Sequence, residues 1–260
     1  MPCNNFFCDT VRISLVRLRL SSQLSCEHGG SDHQHIISDL LTSYDRTAVP
    51  SRFSGTPTQV ELTIQDVNSV SEITSSVTID IWYSQIWQDQ RLRFDPTVAC
   101  STNLSLDYSV VEKLWTPNVC IANSKLVRVH SSPRENTLLI IFSNGTVWLN
   151  YRLMVEAPCK MNFRNFPMDI QACELIFESY PYNNVEVPLD WIAQFPVSVM
   201  GGIDSIHLPD FKFYQIHHAK NVEAYTAGAW DQLVVKFFFK GQLWPLTKLG
   251  NAFSNKKNEA

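Results

Sequence analysis

The chain has no apolar run long enough to cross a membrane as a helix. No window of its 260 residues approaches the ~18 consecutive apolar residues that such a helix needs. The runs Leu138–Phe142 and Phe237–Phe239 are only as long as strands. Near the N-terminus, Arg12, Arg17 and Arg19 interrupt any apolar core of a secretion signal. From these residues alone we expect neither a membrane anchor nor a clear signal peptide.

Basic clusters, metal-ligand groups and catalytic pairs are also scarce. The chain carries 21 basic and 25 acidic residues, for a net charge of −4, and no basic cluster, which argues against nucleic acid as a partner. Cys159 and Cys173 each lack a second cysteine nearby, unlike the ligands of a zinc site. No nucleophile and base stand out as a pair. We therefore expect a protein that is not an enzyme and that uses no metal and no cofactor.

A period-two hydrophobic pattern dominates what is present. From Gln59 to Lys240 apolar and polar residues alternate between turn residues, which predicts antiparallel strands. Before this region, Ser31–Asp45 has the spacing of a short amphipathic helix, with Ser31 or Asp32 as its N-cap. No rhythm of alternating strands and helices follows. The pattern predicts an all-β fold, an antiparallel β-sandwich of about ten strands with a short N-terminal α-helix.

The clearest hairpin turns at Asn144-Gly145, a dipeptide that tolerates the positive φ angles of a tight turn. On the return strand, alternation places the apolar odd-numbered residues 147–155 on one face. The opposite face then carries Trp148, Asn150 and Arg152.

A second strand, Ser76–Trp87, places Trp82 and Ser84 together on its polar face. A tryptophan on that side of a sheet indicates either a contact surface or platform for a ligand, or a ring that a neighbouring loop covers. Both interpretations stay open at this point.

Several segments together resemble one protein family. Phe166-Pro167-Met168-Asp169, between Cys159 and Cys173, resembles the signature loop of the pentameric Cys-loop neurotransmitter-gated ion channels. The sequence of this loop is similar to that of the anion-channel branch, which includes the GABA and glycine receptors. Other segments resemble the family in the same order, from residue 31 to about 240: Trp82-x-x-Gln85-x-Trp87-x-Asp89-x-Arg91-Leu92, Leu114-Trp115-Thr-Pro117-Asn118 with Asn123-x-Lys125, Asn144-Gly-Thr-Val147 with Arg152, Glu178-Ser-Tyr-Pro-Tyr182, and Tyr225-x-x-Gly228-x-Trp230.

The resemblance implies a disulfide between Cys159 and Cys173, worth ~3 kcal/mol in the loop-entropy model. It also implies a coupling loop, formed by residues 166–169, that rests on a membrane domain and passes on the motion of the sandwich. The members of that loop are Phe166, Pro167, Met168 and Asp169, and in the family the proline holds a cis bend.

The resemblance also implies a ligand site between two subunits, where a box of aromatic rings holds an ammonium group. A cation over one ring face gains ~0.5–2 kcal/mol. The principal side would consist of Glu178, Ser179, Tyr180, Tyr225 and Trp230. The complementary side would consist of Trp82, Ser84, Trp148, Asn150 and Arg152.

Departures from the family pattern bear on the ligand. Ser84 stands where relatives gated by amino acids usually carry an arginine that clamps the ligand carboxylate, and Cys120 stands at the first aromatic position of the site. We therefore expect a cationic amine transmitter, with a GABA-like amino acid as the alternative that would depend on Arg152. A second disulfide, between Cys100 and Cys120, is left open.

The expected domains are a poorly ordered segment at 1–30, the ligand-binding domain at 31–240 and a divergent tail without a transmembrane helix at 241–260. Asn103-Leu-Ser105 and Asn144-Gly-Thr146 are glycosylation sequons.

The resemblance implies the extracellular neurotransmitter-binding domain of a ligand-gated chloride or other anion channel, at the plasma membrane. It would belong to a homo- or hetero-pentamer and be joined to the membrane only through a domain missing from this chain, as in a truncated product. The alternatives are a secreted, pore-less transmitter-binding protein or truncated regulatory isoform of the same fold, and a generic sandwich adhesion domain.

Overall fold

Strands make up most of the regular secondary structure in the described part of the chain. A computed structural model describes residues 29–51, 55–166 and 168–242. Within these residues lie two α-helices, α1 (Gly29–Thr42) and α2 (Pro96–Ala99). The strands are β1 (Thr58–Ser71), β2 (Ser76–Gln88), β3 (Asn103–Leu106), β4 (Val119–Ile121), β5 (Leu126–Val129), β6 (Thr137–Phe142), β7 (Thr146–Lys160), β8 (Ile170–Ser179), β9 (Leu189–Trp191), β10 (Val197–Val199), β11 (Phe211–Tyr225) and β12 (Gly228–Gly241). The predicted all-β class with a short N-terminal helix is confirmed.

The strands form two facing layers that are continuous through β7. In the first layer β1, β2, β7 and β6 are neighbours, and β10 and β9 add in parallel to the outer edge of β1. The second layer consists of β4, β8, β12 and β11. The end of β7 crosses between the layers, because Cys159 and Lys160 pair with β8.

The core lies between the layers. It consists of every second residue along the strands, whose side chain points inward. Val77, Ile79 and Ile81 of β2 are fully buried, as are Phe237 and Phe239 of β12. Each such side chain stabilises the fold by ~1.5–3 kcal/mol relative to exposure. The rings of Tyr83 and Phe177, one from each layer, stack with their centroids 5.2 Å apart. The period-two pattern therefore decides which face of each strand packs inward.

The hairpin predicted at Asn144-Gly145 is confirmed as the turn between β6 and β7. Gly145 has a φ of +84°, and the Asn144 side chain accepts a hydrogen bond from the Thr146 amide at 2.9 Å. A Cβ at position 145 would lie 2.5 Å from the Asp89 carbonyl oxygen. Glycine therefore satisfies both the dihedral and the space at this turn.

The helix α1 is present, but its predicted N-cap is wrong. Ser31 and Asp32 both lie inside α1, because the backbone is already helical at Gly29. An N-cap residue must have a non-helical backbone, so neither can serve as one.

Tyr44, which follows α1, ties the helix to the sandwich. Its hydroxyl donates to the fully buried carboxylate of Asp89 at 2.7 Å and accepts from the Trp115 amide at 3.1 Å. The Arg91 side chain donates two hydrogen bonds to the same carboxylate, of 2.9 and 2.7 Å. Burial and the Asp89 carboxylate raise the pKa of Tyr44. The motif residues Asp89 and Arg91 thus hold the helical segment in place.

Some expectations fall on other parts of the chain. Those for residues 1–28 and 243–260, and the cis bend at Pro167, lie outside the described residues. Within the described ranges, no helix combines the length and the apolar character that membrane crossing requires.

Candidate functional site

The loop at residues 159–173 is closed by the predicted disulfide. Cys159 and Cys173 are bonded, and their Cα atoms lie 4.5 Å apart as a register pair of β7 and β8. Within the loop Phe166 and Met168 are 65% and 52% exposed, whereas Asp169 is buried and accepts a hydrogen bond from Gln171. The loop therefore exposes two apolar side chains to solvent, while the neighbouring polar residues Asp169 and Gln171 are buried and hydrogen-bonded to each other.

A second disulfide between Cys100 and Cys120 is excluded. Cys100 is disulfide-bonded, whereas Cys120 is a free, half-buried thiol. The two cysteines therefore do not pair. Burial and the nearby Glu178 carboxylate raise the pKa of the Cys120 thiol, so that it is neutral at physiological pH.

A carboxylate surrounded by polar and aromatic groups lies on the outer face of the second layer. Glu178, near the end of β8, accepts hydrogen bonds from Gln232 Nε2 at 2.6 Å and from the Tyr225 hydroxyl at 3.3 Å. The rings of Tyr225 and Trp230 meet edge to face, 5.6 Å apart. We call Glu178, Tyr225, Trp230 and Gln232 the carboxylate cluster. Three of its members were predicted from the sequence, and the structure brings them together.

The β11–β12 hairpin positions two members of this cluster. At its tip Tyr225 is the register partner of Gly228, whose φ is +143°, and a Cβ at position 228 would meet the Trp230 ring at 3.4 Å. Desolvation and the Glu178 carboxylate raise the pKa of Tyr225. The phenol therefore remains a hydrogen-bond donor to Glu178 at neutral pH.

Gln232 was missed by the sequence reasoning, although a signal existed. It lies two residues after Trp230 on the same strand, and the two share a face by alternation. It is also the register partner of Glu178.

The other two predicted residues of the principal side lie differently. Ser179 is 1% exposed, and its hydroxyl donates to the Pro117 carbonyl oxygen at 2.8 Å, so its side chain points away from the cluster. Tyr180 follows the end of β8 and is 77% exposed. Its amide is fixed by the Asn118 carbonyl oxygen at 3.1 Å.

The five predicted complementary residues lie together on the outer face of β2 and β7, and we call them the β2–β7 patch. Trp82 is 40% exposed and pairs in register with Arg152. Ser84 is buried and accepts a hydrogen bond from Asn150 at 2.8 Å. Trp148 Nε1 and Arg152 Nε are buried donors without a hydrogen-bond partner in the described residues. The patch therefore holds unused donors beside an accessible ring.

The carboxylate cluster and the β2–β7 patch belong to different layers of the sandwich. Both occupy outer faces, and the outer faces of two packed layers point away from each other. One chain therefore cannot bring the two sets onto one small molecule. A second copy can, if its β2–β7 patch faces the cluster of the first.

Fold and surfaces together define a disulfide-closed β-sandwich domain with aromatic and carboxylate side chains on its outer walls. The model of the neurotransmitter-gated ion-channel ligand binding domain matches residues 33–240. The chain belongs to that family. It is a family of ligand-gated channels and not of enzymes.

Curated relatives agree with this assignment. The chain is 39% identical over 215 residues to the serotonin-gated chloride channel mod-1 of Caenorhabditis elegans. This match covers 83% of this chain and 43% of the relative. It is 40% identical over 208 residues to the acetylcholine-gated chloride channel subunit acc-2 of the same species, covering 79% and 46%. A gamma-aminobutyric acid receptor subunit theta of Mus musculus is 34% identical over 207 residues, covering 78% and 31%. The chain thus spans less than half the length of these relatives.

Proposed function

We propose that this chain is the extracellular transmitter-binding domain of a ligand-gated anion-channel subunit, and that it binds a small cationic amine between two subunits. The observation that carries the proposal is the Glu178 carboxylate. It lies on the outer face of β8 and accepts hydrogen bonds from Gln232 and Tyr225. Among the described residues no lysine or arginine forms an ion pair with it. A partly buried carboxylate without a counter-ion favours a cation as its ligand.

The aromatic side chains around Glu178 support the same ligand. Tyr225 and Trp230 stand beside the carboxylate, and the exposed Tyr180 follows it in the chain. An ammonium group over ring faces gains ~0.5–2 kcal/mol per favourable contact. The combination of one carboxylate with several rings therefore suits an amine better than an anion.

The β2–β7 patch would supply the other wall of the site. Trp82 offers an exposed ring, and Trp148 and Arg152 offer donors without partners in the described residues. A contact between two unlike surfaces of identical or similar chains closes into a ring when the rotation allows it. A homo- or hetero-pentamer is the assembly we propose.

The disulfide loop would rest on a membrane domain at the extracellular face of the plasma membrane. Phe166 and Met168 are exposed there, and the buried Asp169 accepts a hydrogen bond from the Gly241 amide at the end of β12 through its carbonyl oxygen, at 2.9 Å. We propose that Phe166, Pro167, Met168 and Asp169 couple ligand binding to that domain. Asn103 and Asn144 are both exposed, as glycan acceptors must be.

The names of the relatives support the ligand class and the ion. Two of them are described as a serotonin-gated and an acetylcholine-gated chloride channel. Serotonin is a protonated amine at neutral pH and acetylcholine is a quaternary ammonium ion, so both transmitters carry a positively charged nitrogen. In this chain Ser84 is buried and bonded to Asn150, so this position offers no positive charge to a ligand carboxylate.

A GABA-like amino acid is the second candidate, and Arg152 favours it. The guanidinium of Arg152 forms no ion pair within the described ranges, and its Nε has no hydrogen-bond partner there. A ligand carboxylate could use that donor while its ammonium group meets Glu178.

A binding panel separates the two candidates. Serotonin, acetylcholine, GABA and glycine would be titrated against the full oxidised chain by isothermal calorimetry, first as wild type and then as Arg152→Gln. We expect serotonin or acetylcholine to bind and the Arg152→Gln variant to bind it with little change. Tight binding of GABA alone, lost in Arg152→Gln, would establish the second candidate and contradict the first.

A further inference from the structure

A cavity lies where β4 and β5 run beside β2 and β7, next to the carboxylate cluster. Its volume is about 310 Å³. Cavities of this size accept small organic molecules. Its walls come from β2, β4, β5 and β7 and include Tyr83, Gln85, Cys120, Val127, Val129 and Tyr151. Val127 and Val129 are more than one-third exposed and form its rim.

Gln85 leaves an unused acceptor at this cavity. It is 4% exposed, and its Oε1 has no hydrogen-bond partner in the described residues. Alternation along β2 places its side chain inward, with Tyr83 and Trp87. A buried carbonyl oxygen without a partner costs ~1–3 kcal/mol. A bound molecule with a hydroxyl or N–H group would remove that cost.

The remaining lining decides the charge of the ligand. Among the described residues no charged side chain lines the cavity, and Tyr83 already donates its hydroxyl to the Val119 carbonyl oxygen at 3.2 Å. Burial raises the pKa of both Cys120 and Tyr151, so both are neutral at physiological pH. An ion in such surroundings would lack a partner and would be strongly disfavoured.

We propose that this cavity is a second ligand site, which takes a small, uncharged and largely apolar molecule bearing one donor group for Gln85 Oε1. The site is chemically distinct from the carboxylate cluster, where a cation is favoured. The two are adjacent through β4, because Cys120 lines the cavity and is the register partner of Glu178.

The free thiol of Cys120 provides a local measurement of occupancy. The full oxidised chain would be alkylated with iodoacetamide, and the modification of the peptide that contains Cys120 would be followed by mass spectrometry. The probes are 4-ethylphenol, ethylbenzene, which lacks the donor, and 4-ethylbenzoate, which carries a charge. We expect 4-ethylphenol to slow the alkylation at a concentration about two- to tenfold lower than ethylbenzene, the effect of one net hydrogen bond. The benzoate should not slow it. If 4-ethylphenol gives no protection, the proposal is overturned.

Two variants test the geometry. Gln85→Leu removes the acceptor at nearly constant volume, so the preference for 4-ethylphenol over ethylbenzene should disappear. Val129→Trp fills the rim from an exposed strand and should remove the protection by both probes. Thermal unfolding, monitored by circular dichroism, identifies a variant that has not folded. If one of the two variants does not fold, the result of the other tests the proposal. A preference that persists in folded Gln85→Leu would contradict the proposal.

A third variant separates this site from the carboxylate cluster. Glu178→Gln should leave the protection by 4-ethylphenol unchanged when it is expressed as the ratio of the alkylation rates of that variant without and with the probe, because Glu178 does not line the cavity. Loss of protection in Glu178→Gln would place the probe at the cluster and overturn the second site. Failure of the amine panel leaves this measurement unaffected.

Discussion

At the residue scale, the proposed amine site depends most on the charge of Glu178. Replacing it with glutamine keeps the shape and the contacts to Gln232 but removes the charge. Hydrogen bonds to charged groups contribute ~1.5–3 kcal/mol, so we expect Glu178→Gln to weaken amine binding about 10- to 100-fold. Isothermal calorimetry with the amine identified by the panel measures the change.

Glu174→Gln is the matched control for this prediction. Glu174 lies on the same strand and the same outer face, and it is paired with Lys236 at 3.6 Å instead of facing the cluster. Its replacement should leave amine affinity within about twofold, since exposed pairs contribute little. Equal losses in both variants would show that the general negative charge of this face matters, and not Glu178.

Cys120 carries a prediction about pH. Burial and the Glu178 carboxylate raise its pKa above the ordinary 9.0, because both disfavour the thiolate. The neutral thiol is therefore favoured in the folded state. This contribution to stability is fully present below the unfolded pKa and is lost as pH rises through the folded pKa.

The pH profile of alkylation at Cys120 tests this directly. The midpoint should lie at higher pH in the folded chain than in urea. In Glu178→Gln the midpoint should move down but stay above the unfolded value, because burial remains. A folded midpoint at or below that in urea would contradict the assignment, whatever the absolute rates.

At the scale of elements, the motif residues Asp89 and Arg91 hold α1 against the sheet. Asp89 is fully buried, and Arg91 satisfies both of its oxygens. Removing one partner of a buried pair leaves an uncompensated charge and costs ~3–5 kcal/mol. We expect Arg91→Ala to lower the free energy of unfolding by about that amount in urea denaturation.

Arg93→Ala is the matched control, two residues further along the same segment. Arg93 is exposed, and in the part of the chain that the structure describes its side chain bonds only to the exposed Gln90 side chain, at 3.0 Å. Its loss should change the free energy of unfolding by no more than about 0.5 kcal/mol. If the two variants are equally stable, the Asp89–Arg91 pair does not hold the helical segment.

Strand faces could be predicted from the sequence because a strand has a simple period. Trp82 was expected on the polar face of β2, and its partial exposure follows from strict alternation with Ile81 and Tyr83. The same rule would have turned Ser179 inward, since its neighbour Glu178 points outward. The family resemblance grouped the two residues, but alternation along the strand separates them.

Other features could not be predicted because they depend on distances between elements that the pattern does not encode. Cys120 lies opposite Glu178 on β8 and is free, whereas Cys100 is disulfide-bonded. The cavity beside Gln85 reflects how the side chains of four strands fill the space where these strands meet. Periodicity assigns each of these side chains to a face but gives no volume.

At the scale of the whole molecule, the carboxylate cluster and the β2–β7 patch can meet only across two copies, and this permits a complementation experiment. Glu178→Gln removes the charge on one wall, and Trp82→Ala removes the exposed ring on the other. Each variant alone should bind the amine more weakly than the wild type at all of its sites, because every interface contains the damaged wall.

A mixture of the two variants, refolded together in equal amounts, should recover part of the binding. In a ring with head-to-tail contacts, an intact site needs the Trp82→Ala chain on the principal side and the Glu178→Gln chain on the other, which occurs at about one quarter of the interfaces. Titration should therefore return about a quarter of the wild-type stoichiometry at wild-type affinity. No recovery from the mixture, beside normal binding by the wild type, would mean that the cluster of one copy does not meet the β2–β7 patch of another, and the interfacial site would have to be abandoned.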